Sequence, residues 1–161
     1  MRSVRPVPIS EIDFSPYGQY CNLKDEPWVA KDGLFQAFRS RSAVVSRPLK
    51  LGITRIGESG NFQCRKMERH ISTEELLFPG DKPLIMAIAN SDPEGLPLEE
   101  DIVVVKFRPG DLVILNKGIW HDACRAEEGE TYYYFMANNN GNPRETEWVP
   151  VHPAPVQVLV K

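Results

Sequence analysis

The chain has 161 residues, of which 42% are hydrophobic and 25% are charged. These values are ordinary for a globular protein, and the length suits one domain, spanning residues 1–161, with its own core. The formal net charge of −3 gives no reason to expect nucleic acid or an acidic membrane as a partner, and no run of eighteen apolar residues could span a bilayer.

The turn-forming residues and the cysteines indicate the fold class and the redox environment of the protein. Fourteen prolines and eleven glycines are spread along the chain, which favours many short strands over long helices. The three cysteines are odd in number and form no C-x-x-C pair, and no apolar segment of the signal-peptide type follows the N-terminal arginines. We therefore expect a cytoplasmic protein with reduced thiols.

The first third of the chain is predicted to start with an edge strand and a single helical turn. Val4–Ile9 is extended and rich in proline, which suits an edge strand. The helical turn covers Ser10–Phe14, where Ser10 has the chemistry of an N-cap. Short apolar or alternating runs predict three more strands, which cover residues 28–30, 34–38 and 49–56.

Arginines cluster between two of these predicted strands. Arg39, Arg41 and Arg47 lie in a serine-rich stretch. One interpretation is a solvated loop, and the other is a positively charged wall that attracts an anionic substrate. The sequence leaves both open.

The rest of the chain contains runs of apolar, β-branched and aromatic residues, which have high strand propensity. The predicted strands cover residues 62–69, 83–89, 102–107, 111–115, 119–121, 131–137 and 156–160. The last strand belongs to a tail that we expect to pack on a neighbouring subunit.

One stretch in this region places a histidine just after a tight turn. Asp111–Leu115 is the apolar strand, and Asn116–Gly118 has turn chemistry because Asn and Gly tolerate positive φ. His121 follows with the spacing G-x5-N-x-G-x2-H. This spacing predicts that the imidazole starts the next strand.

An upstream stretch supplies the complementary groups. Glu68 and His70 are two residues apart, so on a strand their side chains face the same way. Glu75 follows, with Glu74 as a one-residue rival. The segment from Ser72 to Glu75 also has helix-start chemistry, and a turn there would move Glu75 away from the other groups.

Taken singly, each of these residues is more often solvated or hydrogen-bonded than functional. Two such stretches in this order favour a functional cavity. Two imidazoles and two carboxylates would suit a first-row divalent metal such as Zn, Mn, Ni or Fe, and no organic cofactor is expected. The predicted metal ligands are Glu68, His70, Glu75 and His121.

The two stretches resemble the two sequence motifs of the cupins. The downstream motif usually has Pro where Asn116 stands, and the upstream motif has H-x-H where this chain has Glu68-x-His70. The resemblance implies an all-β fold with little helix: the cupin-type double-stranded β-helix, or jelly-roll, barrel.

A closer resemblance is to the ureidoglycolate lyase family, which are cupin-like enzymes of allantoin and purine-nitrogen breakdown. It spans roughly residues 4–140. The matching positions are Pro8-Ile9-Ser10, Phe14, Tyr17-Gly18, Arg55, Glu68-Arg69-His70, Phe78-Pro79 and Trp120-His121. The chain departs from the family pattern at Asp122, in the turn Leu115–Lys117 and at Glu75, where the family typically has Gln. We therefore expect a divergent member and, as the resemblance implies, a homodimer.

The resemblance implies a carbon–nitrogen lyase that splits ureidoglycolate, or a related small anionic hydroxy acid, into urea and glyoxylate. His121 or His70 is the expected base, because imidazole titrates near neutrality, and Glu68 would orient that His or carry the second proton. The expected substrate contacts are Arg55, Lys117, Arg69 and Trp120.

The departures from the family pattern favour two alternatives. The first is a metal-binding cupin of other activity, such as an isomerase or oxygenase acting on a small acid or sugar. The second is a ligand-binding cupin without catalysis.

Overall fold

The computed structural model describes residues 1–26, 50–57, 59–137 and 145–160, together with the backbone of the strands Trp28–Lys31 and Gln36–Phe38. Arg39, Arg41 and Arg47 lie outside these ranges, so both interpretations of the arginine cluster stay predictions. The regular secondary structure of the described residues is almost entirely β-strand, with three short 3-10 helices, Ile9–Glu11, Leu23–Asp25 and Glu99–Asp101. The predicted all-β class is confirmed. No helix of the described residues is long and apolar enough to cross a membrane.

Seventeen strands are numbered in chain order. They are β1 Ser3–Val4, β2 Val7–Pro8, β3 Gly18–Asn22, β4 Trp28–Lys31, β5 Gln36–Phe38, β6 Lys50–Ile56, β7 Phe62–Cys64, β8 Lys66–His70, β9 Glu75–Pro79, β10 Leu84–Ala89, β11 Val103–Phe107, β12 Asp111–Leu115, β13 Trp120–His121, β14 Arg125–Ala126, β15 Thr131–Ala137, β16 Thr146–Pro150 and β17 Val156–Val158.

Two large sheets carry the architecture. The five-stranded sheet has the order β3-β12-β9-β15-β6. The seven-stranded sheet has the order β16-β8-β13-β10-β11-β2, and β14 pairs with β10 beside this path. Smaller assemblies are the three-stranded sheet β1-β17-β7 and the hairpin of β4 and β5. Most neighbours in the large sheets are distant in sequence, as in jelly rolls.

The main core lies between the two large sheets. Alternate residues of a strand face opposite sides, so each strand contributes every second side chain to this layer. The five-stranded sheet contributes Leu77, Val113 and Leu115, and the seven-stranded sheet contributes Leu84, Met86, Ile88, Val105 and Phe107. The functional residues described below lie on these same inward-facing rows.

A second core layer covers the other face of the seven-stranded sheet. Ile85, Ala87 and Trp120 pack there against Val156 and other residues of the three-stranded sheet. Strand β10 is buried at all six positions, because both of its faces are covered.

The C-terminal tail belongs to this second layer. Strand β17 pairs in parallel with β1 and antiparallel with β7 of the same chain. Val156 and Val158 are both fully buried. The expectation that the tail packs on a neighbouring subunit is therefore wrong for these residues, because their apolar face is already covered within the chain.

Five glycines of the described residues have positive φ, which other residues rarely adopt, and two of them support the strands around the site. Gly118 has φ 76° in the predicted turn before β13. Gly18 has φ 155°, and a Cβ added there would lie 1.8 Å from the backbone oxygen of Ile114 on the paired strand β12. Strand β3 can pair with β12 at this register only because residue 18 has no side chain.

Of the strands that the sequence did not predict, three support the arrangement of the site. β9 replaces the turn expected around Glu75, since its apolar residues are held between β12 and β15. β3 and β16 lie in segments without a clear alternating pattern, and each forms by pairing with a strong neighbour, β12 or β8. The remaining predicted strands are present, most of them with bounds shifted by one or a few residues.

Candidate metal centre

Strand β8 presents two polar side chains to the interior. Glu68 and His70 face inwards. Met67, the residue directly before Glu68, packs in the core layer on the opposite side of the sheet. This is the result expected from the two-residue period of a strand. The pair Glu68 and His70 therefore projects from one row into the space between the two large sheets.

His121 reaches the same space from the neighbouring strand β13. It is directly opposite Glu68 in the antiparallel register, so the two side chains share a face. The turn before β13 is tied to β8 by a hydrogen bond of 2.8 Å from the Gly118 N–H to the His70 carbonyl oxygen. Backbone pairing thus fixes three side chains of one sheet relative to each other.

Glu75 comes from the other sheet. It begins β9, and it faces inwards with Leu77, which is two residues further along that strand. Its rival Glu74 instead forms an ion pair of 3.9 Å with the Lys117 ammonium. Glu75 therefore completes the cluster from the opposite sheet.

The four side chains converge on one small volume. The Nε2 atom of His121 lies 3.0 Å from Oε2 of Glu75 and 3.8 Å from Oε1 of Glu68. The same Glu75 oxygen is 3.5 Å from Nε2 of His70. One ligand atom from each of Glu68, His70 and His121 lies within 4.8 Å of the other two. This separation allows one ion to contact the ligand atoms of all three residues.

Hydrogen bonds outside the cluster orient both imidazoles. Nδ1 of His121 is 3.1 Å from the Ile119 carbonyl oxygen, which can only accept, so Nδ1 carries the proton in the bond. Nδ1 of His70 is 3.3 Å from the Thr146 hydroxyl. In both rings Nε2 is the nitrogen left to face the cluster, which is the arrangement that metal-bound histidines show.

A further contact anchors the loop between β8 and β9. The Glu145 carboxylate accepts hydrogen bonds from the Ser72 N–H at 3.2 Å, the Ser72 hydroxyl at 2.5 Å and the Thr73 hydroxyl at 3.4 Å. Burial opposes ionisation of Glu145, but these hydrogen bonds outweigh it and lower its pKa. Since this loop joins His70 to Glu75, the contact fixes the separation of two cluster members.

The cluster has an unsatisfied atom at its centre. His121 is 3% exposed, and its Nε2 has no hydrogen bond of acceptable geometry in the described part of the chain. If Nε2 also carries a proton, its 3.0 Å contact with Glu75 is an ion pair; in the neutral ring, with the proton on Nδ1, the Nε2 lone pair points at the carboxylate oxygen. Two lone pairs at that distance repel unless a proton or a cation lies between them.

The charges of the cluster are coupled. Burial alone would raise the pKa of Glu75, but its contacts to His121 and His70 outweigh burial and lower the pKa to about 2. Burial alone would lower the pKa of His121, but Glu75 and then Glu68 raise it. Burial is the main cause that raises the pKa of Glu68. Without metal, a proton on His121 therefore compensates the charge of Glu75.

The donor set fits a divalent transition metal. Imidazole nitrogen and carboxylate oxygen are both common ligands of Zn, Mn, Ni and Fe. A divalent ion would balance two carboxylates and supply the partner that His121 Nε2 lacks. The residues that would hold it are Glu68, His70, Glu75 and His121.

The residues predicted to bind substrate lie elsewhere. Arg69 and Trp120 are on the outer face of the seven-stranded sheet, where the Arg69 guanidinium lies 4.4 Å from the centre of the Trp120 indole. Arg55 is an exposed residue of β6 paired with Glu130, and Lys117 pairs with Glu74. Arg69 and Trp120 face away from the cluster because each strand sends neighbouring residues to opposite faces. The role of these four residues in substrate binding stays a prediction.

Two interior residues near the cluster were not singled out by sequence reasoning. Burial raises the pKa of the Cys124 thiol well above its usual value, and the negative charge of Glu75 adds to this effect. Burial likewise raises the pKa of Tyr133, whose charged neighbours include Glu75 and Glu68. Both groups are therefore neutral, and their positions inside the core carried no distinctive sequence signal.

Comparison with known proteins gives the fold. No family model matches the chain, and no curated protein matches it. Among solved structures it is similar to dTDP-6-deoxy-D-glucose-3,5-epimerase RmlC from Legionella pneumophila Philadelphia 1, which was solved in complex with dTDP-4-keto-L-rhamnose. The sequence identity is 12% and the TM-score 0.50, over 84% of this chain and 85% of that chain. The chain has the cupin-type jelly-roll fold.

The cupin fold predicted from the sequence is thereby confirmed, with one qualification about closure. The two large sheets share no strand pair among the described residues, so the jelly roll is an open sandwich rather than a closed barrel. A second structure, Peruvianin-I, a cysteine peptidase from Thevetia peruviana latex, matches with 17% identity and a TM-score of 0.45 over 64% of this chain. This chain spans only 56% of that one, and the likeness does not establish a shared fold.

Proposed function

We propose that the chain is a metal-dependent cupin enzyme that moves a proton on a small organic acid or sugar, as an isomerase does. The observation that carries the proposal is the buried Nε2 of His121, which points at Glu75 Oε2 over 3.0 Å without a hydrogen bond of acceptable geometry. A divalent ion at this point would satisfy both atoms.

The four proposed ligands differ in what else they can do. The His121 side chain is 4% exposed and that of Glu75 11%, so these two groups would act only as ligands. The Glu68 side chain is the most exposed of the four at 20%. Its greater exposure makes it the carboxylate that a substrate would reach first, and in the metal-free cluster burial raises its pKa.

A bound divalent ion would act as a Lewis acid towards a hydroxyl or carbonyl oxygen of the substrate. In this arrangement Glu68 would remove a proton from the carbon or oxygen next to the polarised group and return it to the product, while His70, Glu75 and His121 would hold the ion. The Thr146 hydroxyl holds the His70 ring in place. Proton removal and return by one carboxylate is the chemistry of an isomerase.

Ureidoglycolate cleavage is the second candidate. It is supported by Glu68, His70 and His121, the three family-like positions that lie together in the interior. The two cations that the family resemblance assigns to the substrate carboxylate, Arg55 and Lys117, are paired with other carboxylates. We therefore rank it below the isomerase proposal, and release of urea from ureidoglycolate by the purified protein would reverse that order.

Metal titration tests the main proposal. The protein, purified without a histidine tag and stripped with chelator, is titrated by calorimetry with Zn²⁺, Mn²⁺, Ni²⁺ and Fe²⁺, the last without oxygen. We expect one ion per chain and loss of this binding in Glu75→Gln. Binding that is absent, or that is equal in native protein and Glu75→Gln, would refute the proposed centre.

We also propose that the chain forms a homodimer. Among the described strands, β6 is at an edge of the five-stranded sheet, and it exposes Leu51 by 63% and Ile53 by 59%. An apolar edge strand invites pairing with a second copy. Light scattering of native protein and of a Leu51→Lys, Ile53→Lys variant tests this, with a monomeric variant as the expected result.

A further inference from the structure

The inward row that carries the metal cluster continues beyond it onto the edge strand β16. Trp148 is directly opposite Glu68, and Thr146 is directly opposite His70. Residues opposite each other on paired strands share a face. Trp148 therefore lies on the same face as the cluster, next to Glu68.

The neighbours of Trp148 on β16 confirm this orientation. Val149 packs with the core layer on the outer side of the sheet. Glu147 also faces that side, because it pairs with Arg69, which lies over Trp120. Since residues alternate along a strand, the intervening Trp148 faces inwards.

Lys66 completes this patch, which we call the Trp148–Lys66 wall. It lies on β8 two residues before Glu68 and hence on the same face. Its ammonium is 4.8 Å from the centre of the Trp148 indole, within the range of a cation–π contact. The wall is built on two paired strands, so its backbone is held rigidly relative to the cluster.

Exposure increases from the cluster towards this wall. The side chains of His121, His70 and Glu68 are 4%, 14% and 20% exposed, and Trp148 is 44% exposed. The increase follows the sheet from β13 through β8 to β16. A ligand that approaches the cluster along this route therefore passes the Trp148–Lys66 wall.

The charge of Lys66 is not neutralised by a nearby carboxylate. Within the described ranges, no acidic group is in ion-pair distance of it, whereas Arg69, Lys106 and Arg125 each have such a partner. Its contact is with the indole face. An exposed indole beside an unneutralised cation offers an apolar surface and an anion-binding group at adjacent positions.

We propose that the Trp148–Lys66 wall is the substrate subsite of this cupin and binds the ring of a ring-bearing small acid. The apolar face of a pyranose or aromatic ring packs against the exposed indole surface, and the carboxylate of the ring pairs with Lys66. An oxygen elsewhere on the ring then reaches the Glu68 side of the cluster. This inference rests on the proposed function for the role of the cluster, but the wall itself is defined independently by β8 and β16.

The ring is the part of the proposal that Trp148 decides. A two-carbon acid such as glyoxylate needs only a cation and a metal, and gains nothing from an indole. A ring gains stacking area, and stacking of a flat ring on an aromatic side chain changes affinity by about tenfold or more. Trp148 therefore predicts discrimination between ring acids and short acids.

Calorimetry of the zinc-loaded protein tests the subsite. The probes are D-glucuronate and benzoate as ring acids, methyl β-D-glucopyranoside as a neutral ring and glyoxylate as a short acid. We expect at least one ring acid to bind more tightly than both other probes. Its affinity should fall about tenfold in Trp148→Ala and about tenfold in Lys66→Gln.

Matched control variants distinguish a specific role of the Trp148–Lys66 wall from a general loss of ligand affinity. Trp148→Phe keeps an aromatic face and should retain ring-acid affinity within about threefold. Lys50→Gln removes an exposed lysine of β6, a strand that pairs with neither β8 nor β16, and should change nothing. Glucuronate binding without benzoate binding identifies a sugar-type ring, and the reverse identifies an aromatic one; either result supports the subsite.

The metal content of every variant is measured in parallel, so that the two proposals fail separately. If the metal is absent but a ring acid still binds in a Trp148-dependent way, the proposed function fails and the subsite stands. If no ring acid binds, or if Trp148→Ala and Lys66→Gln bind it as native protein does, the subsite is overturned while the metal centre is unaffected.

Discussion

His121 and Glu75 meet across the interior from two different sheets, with 3.0 Å between Nε2 and Oε2. The histidine is fixed by β13 and by the Ile119 carbonyl, and the glutamate by β9. The contact therefore depends on the packing of the two sheets and reports on both the fold and the site.

Removal of this histidine should destabilise the metal-free protein. His121→Ala leaves the buried Glu75 carboxylate without its nearest cation, and loss of one partner of a buried pair costs about 3 kcal/mol. Urea denaturation of the chelator-treated protein measures the free energy of unfolding. His152→Ala, which removes an exposed imidazole, is the control and should stay close to native. Equal stability of both variants would show that the His121–Glu75 contact is not formed.

Stability of the metal-free protein should depend on pH in a defined window. Glu75 has a folded pKa of about 2 against an ordinary 4.5, so its contribution is complete above 4.5 and is lost as pH falls towards 2. His121 has a folded pKa above its ordinary 6.5, so its contribution is complete below 6.5 and is lost as pH rises through the folded pKa.

Metal should act in the opposite direction at the upper end of that window. Binding to Nε2 requires the neutral imidazole, so the rise in Tm on adding Zn²⁺ should grow as pH increases from 5.5 to 8. Thermal unfolding with and without Zn²⁺ at each pH measures this. A rise in Tm that is independent of pH would mean that the metal does not displace a proton from His121.

The hydroxyl of Thr146 should tune metal affinity without holding the metal. It is 3.3 Å from Nδ1 of His70, and loss of such an orienting partner typically costs about tenfold or more in affinity. We expect Thr146→Val to bind Zn²⁺ about tenfold more weakly in a calorimetric titration, while Thr146→Ser remains native-like. If Val and Ser behave alike, the hydroxyl does not orient the ring.

Gly18 provides a test of the strand register that supports Glu75. A side chain there would meet the Ile114 carbonyl at 1.8 Å and would require a φ of 155°. Gly18→Ala should therefore lower the free energy of unfolding by more than about 3 kcal/mol. Gly60→Ala, where no atom lies within 4 Å of the added Cβ, should be nearly neutral. Tolerance of Gly18→Ala would contradict the pairing of β3 with β12.

Much of the fold and half of the site geometry follow from local periodicity. The apolar run of β10 predicted a strand, and its burial on both faces follows from the layers that cover it. Glu68 and His70 share a face because they are two residues apart, and the turn residues ending at Gly118 predicted that a strand containing His121 follows directly. Each of these predictions needs only the geometry of one element.

The rest depended on pairings that no single segment encodes. The strand at Glu75 exists because β12 and β15 hold it, which overrides the helix-start chemistry before it. The outward faces of Arg69 and Trp120 depend on the register of β8 and β13. The sequence did not predict Trp148 as a site residue because β16 has no strong strand pattern of its own. Trp148 lies beside Glu68 because β16 pairs with β8.

X-ray absorption of the zinc-loaded protein measures the central claim most directly, because it counts the ligand types around the ion. The arrangement of Glu68, His70, Glu75 and His121 predicts two imidazoles, with nitrogen and carboxylate oxygen at about 2.0–2.2 Å. It also predicts one imidazole fewer in a His121→Ala sample that is loaded at higher zinc concentration. A first shell of oxygen alone, or a spectrum that is unchanged in His121→Ala, would contradict the proposed metal centre.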